Sequence, residues 1–123
     1  MLPRYTSSPL PVSSSGGLGV EVDDVIPAVH AKIRVAGELD CATASHLAGQ
    51  LQSLTRRGYK QVDVDMRQVG FCDAAGLNAL MISSTQLRSR GGHLTVLGPC
   101  PALQLLLTIL DSGSELQIET PPL

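Results

Sequence analysis

Two aspartates and three cysteines are the residues whose type and position could carry chemistry in this chain. Asp40 and Asp73 each stand at the predicted start of a helix, where a carboxylate accepts N–H bonds from the first turn. Cys41, Cys72 and Cys100 also lie at or just before predicted helix starts. Because a helix N-terminus lowers the pKa of a thiol, redox chemistry at these cysteines is one hypothesis. The other is that all three are small, buried and unreactive.

Other patterns of catalytic and metal-binding residues do not occur. His30, His46 and His93 are dispersed over two predicted strands and a helix, and they do not form a ligand set. The chain has no Ser-His-Asp arrangement, no P-loop and no GxGxxG motif. The Cys-x-x-Cys spacing typical of zinc sites is also missing. We therefore expect a protein that is not an enzyme and that binds neither a cofactor nor a metal.

The composition narrows the class of protein. With 123 residues, 43% hydrophobic and 16% charged, the chain has the size and content of one globular domain. Aromatic residues make up only 2%, the formal net charge is −2, and the nine basic residues are scattered along the sequence. This pattern excludes a nucleic-acid binder. No apolar run approaches the roughly 18 residues needed to cross a bilayer, so we expect no membrane span.

The N-terminal segment differs in composition from the rest of the chain. Residues 1–19 are rich in Ser, Pro and Gly, which predicts a flexible tail, whereas residues 20–123 are predicted to fold. The tail has no continuous apolar core of the kind found in signal peptides. An odd number of cysteines, three, fits a reducing compartment. We therefore expect a cytoplasmic protein.

Hydrophobic periodicity predicts an α/β fold. The predicted elements in chain order are an edge strand at 20–26, a strand at 30–35, a helix at 41–57, a strand at 59–66, a helix at 74–90, a strand at 93–97, a helix at 102–110 and a short strand at 116–118. Residues 36–40 and 67–73 are predicted turns. Short connections between helices and strands favour a small, mixed, mostly parallel sheet with the helices packed on one side.

Residues 62–86 form the unit in which we expect a functional site. In a strand-loop-helix unit of a parallel sheet, the loop lies at the C-terminal edge of the sheet, where free N–H groups of the helix point outward. Gly76 is unfavourable by propensity in the first turn of the predicted helix. Its expected use is the close approach of another backbone, which favours a docking surface over a place in the core.

Three segments together resemble one family. GELDCATA at residues 37–44 resembles the family segment GELD(x)ATA, and VDM followed by FCDAAGL at residues 64–77 resembles VVDLSxVxFxDSSGL. GGHLTVLGP at residues 91–99 resembles GGxLxLVGP. The family is STAS, whose type members are the bacterial anti-sigma factor antagonists, and the resemblance covers roughly residues 28–111.

The resemblance implies a fold, a partner and a binding surface. STAS domains have a small sheet with helices packed on one side, and the antagonists bind an anti-sigma factor of the GHKL kinase type at the loop and helix start of DSSGL, which frees the sigma factor. On this basis we expect a monomer or weak dimer that regulates transcription in a bacterial stress response. The expected partner-binding residues are Asp40, Asp73, Ala74, Ala75, Gly76 and Leu77.

The chain departs from the family at the phosphorylated serine. The kinase phosphorylates the second serine of DSSGL, and Ala75 occupies that position here. Alanine has no hydroxyl, so the resemblance implies no phosphorylation there and binding that ATP does not switch off. The alternative interpretation, which fits the missing serine equally well, is a STAS subunit of a transport ATPase or of a larger signalling assembly.

Overall fold

The computed structural model describes residues 18–26, 29–109 and, for their backbone, 117–119. Five strands and three helices follow in the order β1, β2, α1, β3, α2, β4, α3, β5, which confirms the predicted succession. Their bounds are Gly19–Ile26 for β1, His30–Leu39 for β2, Ala44–Arg56 for α1, Gln61–Cys72 for β3, Ala74–Ser89 for α2, His93–Leu97 for β4, Pro101–Ile109 for α3 and Gln117–Glu119 for β5.

The sheet has the order β1-β2-β3-β4-β5. β1 pairs antiparallel with β2, and the remaining neighbours are parallel. Since parallel strands all end at the same edge, α1, α2 and α3 begin side by side at the C-terminal edge of β2, β3 and β4. The chain returns to the opposite edge at the helix C-termini, where Gly58 and Gly91 take the positive φ values of 93° and 79° that end a helix.

One face of the sheet is apolar and carries the helices. Side chains at alternate positions of the parallel strands join those of the helices in a single hydrophobic core. The core includes Ile33 and Val35 from β2, Val62, Val64 and Met66 from β3, Leu94 and Val96 from β4, and Leu47, Leu51, Leu77, Leu80, Leu87 and Leu103 from the helices. This arrangement is the predicted mixed, mostly parallel sheet with helices on one side.

The other face of the sheet carries a charged network. Its members include His30, Lys32, Arg34, Asp63, Asp65 and Arg67. Arg67 donates from Nε and Nη2 to the two carboxylate oxygens of Asp65 at 2.9 and 2.6 Å. Burial alone would raise the pKa of Asp65, but the hydrogen bonds from Arg67 and the charges of Arg67 and Lys32 outweigh burial and hold it below its usual value. Asp65 is therefore an ionised member of the network.

Strands β2 and β3 are longer than predicted. The predicted turns at 36–40 and 67–73 are wrong over most of their length, because both segments continue as strands that pair with each other. Register shifts between Arg34 and Ala36, and between Gly37 and Glu38, let the pairing continue. Both extended segments also bury apolar side chains, since Leu39 and Cys72 are almost completely inaccessible to solvent.

The boundary of the predicted N-terminal tail also changes. Leu18 is buried in the core and Gly19 already belongs to β1, so the tail ends before residue 18 rather than at residue 19. The predicted flexibility of residues 1–17 falls outside the described residues.

Candidate functional site

The strand ends that lead into α1 and α2 are neighbours. Leu39, the last residue of β2, pairs with Cys72, the last residue of β3. The backbone N–H of Asp73 donates to the carbonyl of Leu39 at 3.0 Å. The two segments that resemble the family motifs are thus brought together, and the starts of the two helices form one continuous edge.

Asp73 is the N-cap of α2, as predicted. Its Oδ1 accepts hydrogen bonds from the backbone N–H groups of Ala75 at 2.9 Å and Gly76 at 3.1 Å. The N–H of Leu77 closes the first turn by donating to the Asp73 carbonyl at 3.0 Å. A side-chain cap of this kind contributes about 1 kcal/mol and holds the first turn in one conformation.

The prediction that Asp40 is the N-cap of the first helix is wrong. Its Oδ1 accepts from the N–H groups of Ala42 at 3.0 Å and Thr43 at 3.2 Å, which closes a turn before the helix. α1 begins at Ala44, with Thr43 as an N-cap that makes no side-chain capping bond. The Thr43 hydroxyl instead donates to the carbonyl of Glu38 at 2.8 Å. The helix starts three residues later than expected.

Gly76 and Leu77 lie in the interior, which corrects their assignment to the partner-binding surface. Leu77 is 2% exposed and belongs to the core. A Cβ on Gly76 would lie 2.7 Å from Leu39 Cγ and 2.8 Å from Cys72 Sγ. The close approach at Gly76 is made by the side chains of Leu39 and Cys72 at the ends of β2 and β3, and not by the backbone of another segment as expected. Ala74, in contrast, is exposed and Ala75 is half-buried.

The three cysteines do not share one environment. Cys41 is exposed, whereas Cys72 and Cys100 are buried, and none of the three forms a disulfide. Burial, with smaller contributions from Cys100 and Asp73, raises the pKa of Cys72 to about 12. The lowered pKa expected from a helix N-terminus is therefore wrong for Cys72, whose thiol stays protonated at neutral pH.

The outer face of α2 exposes apolar side chains that the sequence pattern did not single out. Phe71 is 46% exposed at the end of β3, and Ile82 is 51% exposed two turns along α2 from Ala74. A shallow pocket of about 310 Å³ lies along this face and is lined by Asn78, Met81, Ile82, Thr85 and Gln86. The available signal was that positions 78 and 82 follow Ala74 at intervals of four residues, away from the core-facing stripe.

Acidic side chains dominate the edge where the helices begin. Glu38 is exposed, and Asp40 and Asp73 are half-buried. Arg67 is the nearby cation, and its guanidinium is already paired with Asp65. The edge therefore presents three carboxylates together with the apolar Phe71, which suits a partner with a basic and partly apolar contact surface.

Within residues 18–26, 29–109 and 117–119, no group of three His, Cys, Asp or Glu side chains is arranged to hold a metal ion. In the same part of the chain, no helix is both long and apolar enough to span a bilayer.

Comparison with known proteins identifies the family. The family model that matches is described as the Mlab STAS domain, and it covers residues 23–118. An anti-sigma factor antagonist from Mycobacterium paratuberculosis superposes with a TM-score of 0.75 at 21% identity, over 91% of this chain and 92% of that chain. The match therefore extends over nearly the whole described fold.

SpoIIAA from Bacillus has the same fold. Its unphosphorylated form, described as an anti-sigma factor antagonist, superposes with a TM-score of 0.72 at 15% identity, over 85% of this chain and 89% of that chain. Its phosphorylated form gives a TM-score of 0.68 at 15% identity, over 85% and 92%. The family model and the shared fold agree, and the chain belongs to the STAS domain family.

Proposed function

We propose that this chain is an anti-sigma factor antagonist that acts in the cytoplasm by binding a GHKL-type anti-sigma factor, without catalysis. The observation that carries the proposal is the start of α2, a helix end held by the Asp73 cap at an acidic edge of a STAS fold. A cap of this kind leaves the backbone in one conformation before a partner arrives. Pre-organisation reduces the entropy lost on binding, which favours a protein-binding role.

The contact surface in this proposal runs from the helix start along the outer face of α2. Ala74 and Ala75 allow close approach because their side chains are small, and Asn78 and Ile82 extend the surface. An exposed branched apolar side chain such as Ile82 suits a buried anchor at the centre of an interface. Asp40 contributes through the turn that it closes beside the helix start.

Binding in this proposal is not switched by phosphorylation at the usual position. Ala75 has no hydroxyl, whereas a phosphoserine there would add a charge of about −1.5 to −2 to an edge that is already acidic. Three of the other hydroxyls near the site are poor phosphate acceptors. Ser83 and Ser84 are 3% and 2% exposed, and the Thr43 hydroxyl is hydrogen-bonded to Glu38.

The test is calorimetric titration of the chain with a candidate GHKL-type anti-sigma factor encoded in the same genome. Replacing Ile82→Glu should weaken binding by at least about 30-fold, because it places a charge in a desolvated contact. Leu105→Glu on α3 is the matched control, since Leu105 is also an exposed apolar helix residue, and it should change binding by less than about two-fold. Equal losses for the two variants would contradict the proposed surface.

The alternative function is a STAS subunit of a transport ATPase or of a larger signalling assembly. The observation in its favour is that the matching family model is described by the name Mlab and not as an antagonist, while the motif lacks its serine. Affinity purification of the tagged chain separates the two functions. Recovery of an ATPase or permease that depends on Ile82 would favour the alternative, and recovery of a GHKL-type protein would favour the antagonist.

A further inference from the structure

Basic residues that are scattered in the sequence are gathered by the fold at the edge opposite the start of α2. Five of the nine Lys and Arg residues of the chain lie there, and all five are exposed. They are Arg56, Arg57, Lys60, Arg88 and Arg90. Because α1 and α2 end at this edge while β3 and β4 begin there, residues from two separate helix ends and a connecting turn meet. We name these five residues, together with Ile26 and Val29, the basal surface.

Hydrogen bonds make the basal surface continuous. Lys60 donates from Nζ to the carbonyl of Arg90, and Arg90 donates from Nη1 to the carbonyl of Thr55 at 3.4 Å. A pocket of about 240 Å³ opens between the ends of α1 and α2 and is lined by Gln52, Thr55, Arg56, Gln86, Ser89 and Arg90. Two guanidinium groups, two amides and two hydroxyls therefore surround a space in which an anionic group would be bound.

Two exposed apolar side chains border the cations. Ile26 is 52% exposed and Val29 is 48% exposed, at the connection between β1 and β2. The Val29 carbonyl accepts from the backbone N–H groups of Lys60 and Gln61, both at 3.0 Å. Backbone hydrogen bonds thus connect the apolar pair to the segment that contains Lys60.

The positive charge of this surface is not neutralised by the described carboxylates around it. Asp24 accepts a hydrogen bond from the Tyr59 hydroxyl, and Asp63 is paired with His30 at 2.8 Å. Five cations against these two carboxylates leave an excess of three positive charges. Helix dipoles favour cations such as Arg56 and Arg88 in the last turns, but they do not account for exposed Ile26 and Val29 beside them.

We propose that the basal surface docks on an anionic phospholipid bilayer. Clusters of four to eight Lys and Arg residues attract anionic lipids, with the favourable energy increasing for each cation near the surface. In this arrangement lipid phosphates contact the guanidinium groups of Arg56 and Arg90, and Ile26 and Val29 enter the interfacial layer. The start of α2 lies at the opposite edge of the sheet and stays accessible, so docking on lipid is independent of the proposed partner binding.

Flotation of the full chain with lipid vesicles tests this proposal. The chain should float with phosphatidylcholine vesicles containing about 30% phosphatidylglycerol in about 0.1 M NaCl. It should remain unbound with pure phosphatidylcholine, or when NaCl is raised to about 0.5 M. Failure to float with anionic vesicles at low salt would overturn the proposal, as would equal binding to neutral vesicles.

Substitutions locate the lipid-binding surface. Arg88→Gln should weaken vesicle binding about five-fold, and Arg56→Gln with Arg88→Gln about 25-fold, since each cation near the membrane contributes separately. Arg67→Gln removes the same charge at the opposite edge of the sheet and should change binding by less than about two-fold. Equal losses for Arg67→Gln and Arg88→Gln would show an effect of net charge alone and would overturn the assignment to the basal surface.

An acidic protein is the competing occupant of this surface, and Ile26→Ser distinguishes it from a bilayer. This substitution should weaken vesicle binding several-fold while leaving binding to soluble poly-glutamate unchanged, because only a bilayer offers an apolar layer. Inorganic phosphate at millimolar concentration should not release the chain from vesicles. The contrary result is that the chain binds poly-glutamate more tightly than vesicles and that Ile26→Ser changes neither affinity. It would show that the basal surface binds an acidic protein and not a bilayer.

Discussion

Asp40 follows β2 and Asp73 follows β3, and in both cases Oδ1 accepts two backbone N–H groups at the same edge of the sheet. Only Asp73 caps a helix directly. Asp40 closes a separate turn, and the hydroxyl oxygen of Thr43, the N-cap of α1, accepts from the backbone N–H of Asp40 at 3.0 Å and not from the first turn of the helix. The same residue type at the same topological position therefore holds a helix end in one junction and a loop in the other.

The difference bears on function because a helix end and a turn present different groups. The start of α2 presents small residues, Ala74 and Ala75, on a capped first turn that rests on Leu39 through Gly76. The turn after β2 presents exposed Cys41 and Ala42 and is held by hydrogen bonds to Asp40 Oδ1. In the proposed function, the start of α2 therefore makes the principal partner contact and the turn has a supporting role.

Thiol reactivity should show the largest difference between the junctions. Cys41 is exposed, while Cys72 is buried with a pKa raised to about 12 from 9.0. Iodoacetamide at neutral pH should modify Cys41 at least about 100-fold faster than Cys72, since only the thiolate reacts. Peptide mass spectrometry over time measures both rates, with the chain unfolded in guanidinium as the control in which the rates converge. Equal rates in the folded chain would show that Cys72 is not protected.

Glycine substitutions test the packing under the start of α2. Gly76→Ala should lower the free energy of unfolding by about 2 kcal/mol, because its Cβ would overlap Leu39 and Cys72. Gly49→Ala on α1 is the matched control, since nothing lies within 4 Å of its Cβ position. It should raise the free energy of unfolding by up to about 1 kcal/mol through helix propensity. Urea denaturation measures both, and a stabilising Gly76→Ala would contradict the close contact.

Replacing each aspartate by alanine should distinguish the helix cap at Asp73 from the turn at Asp40. The expected change in unfolding free energy is smaller than that for Gly76→Ala. Asp73→Ala should cost about 1 kcal/mol of unfolding free energy by loss of the cap. Asp40→Ala should cost only about 0.5 kcal/mol, because backbone bonds from Thr43 and Ala44 to the Asp40 carbonyl still close the turn. Asp73→Asn retains the cap and removes only the charge. If this variant is as stable as the wild type but no longer binds the partner, the carboxylate charge contributes to the interface. A larger loss of unfolding free energy for Asp40→Ala than for Asp73→Ala would contradict this difference between the cap and the turn.

Much of the fold follows from local signals in the sequence. Alternating apolar residues identified the cores of β2 and β3, and β4 at His93–Leu97 was predicted with its observed bounds. Asp73 was identified as the cap because a helical apolar pattern follows it directly. The ends of β2 and β3 were missed because Gly37, Gly70 and the polar residues near them indicate turns locally. Their strand conformation comes from pairing between the two segments, which no local pattern reports.

The helix start that we propose as the site was selected from the sequence, but two of its predicted members, Gly76 and Leu77, are buried. Gly76 and Leu77 were placed on the surface because the motif was treated as a contiguous contact. In a helix, residues three or four apart share one face, and these two residues fall on the side of the core. Phe71 was not singled out because an exposed apolar residue at a strand end has no sequence signature separate from a buried one, whereas Ile82 could have been found from its four-residue spacing from Ala74. The basal surface could not be predicted from the sequence, because its residues, such as Arg56 and Arg90, are far apart in the chain and only the fold brings them together.

The central claim is that the start of α2 binds an anti-sigma factor without a phosphorylation switch, and one measurement tests it most directly. Calorimetric titration of the chain with its GHKL-type partner is carried out before and after incubation with ATP and Mg²⁺, and intact-mass analysis of the chain accompanies each titration. We predict the same affinity in both titrations and no phosphate on the wild-type chain, whereas Ala75→Ser should gain one phosphate and lose affinity. Phosphate on the wild-type chain, together with ATP-dependent loss of binding, would contradict the account.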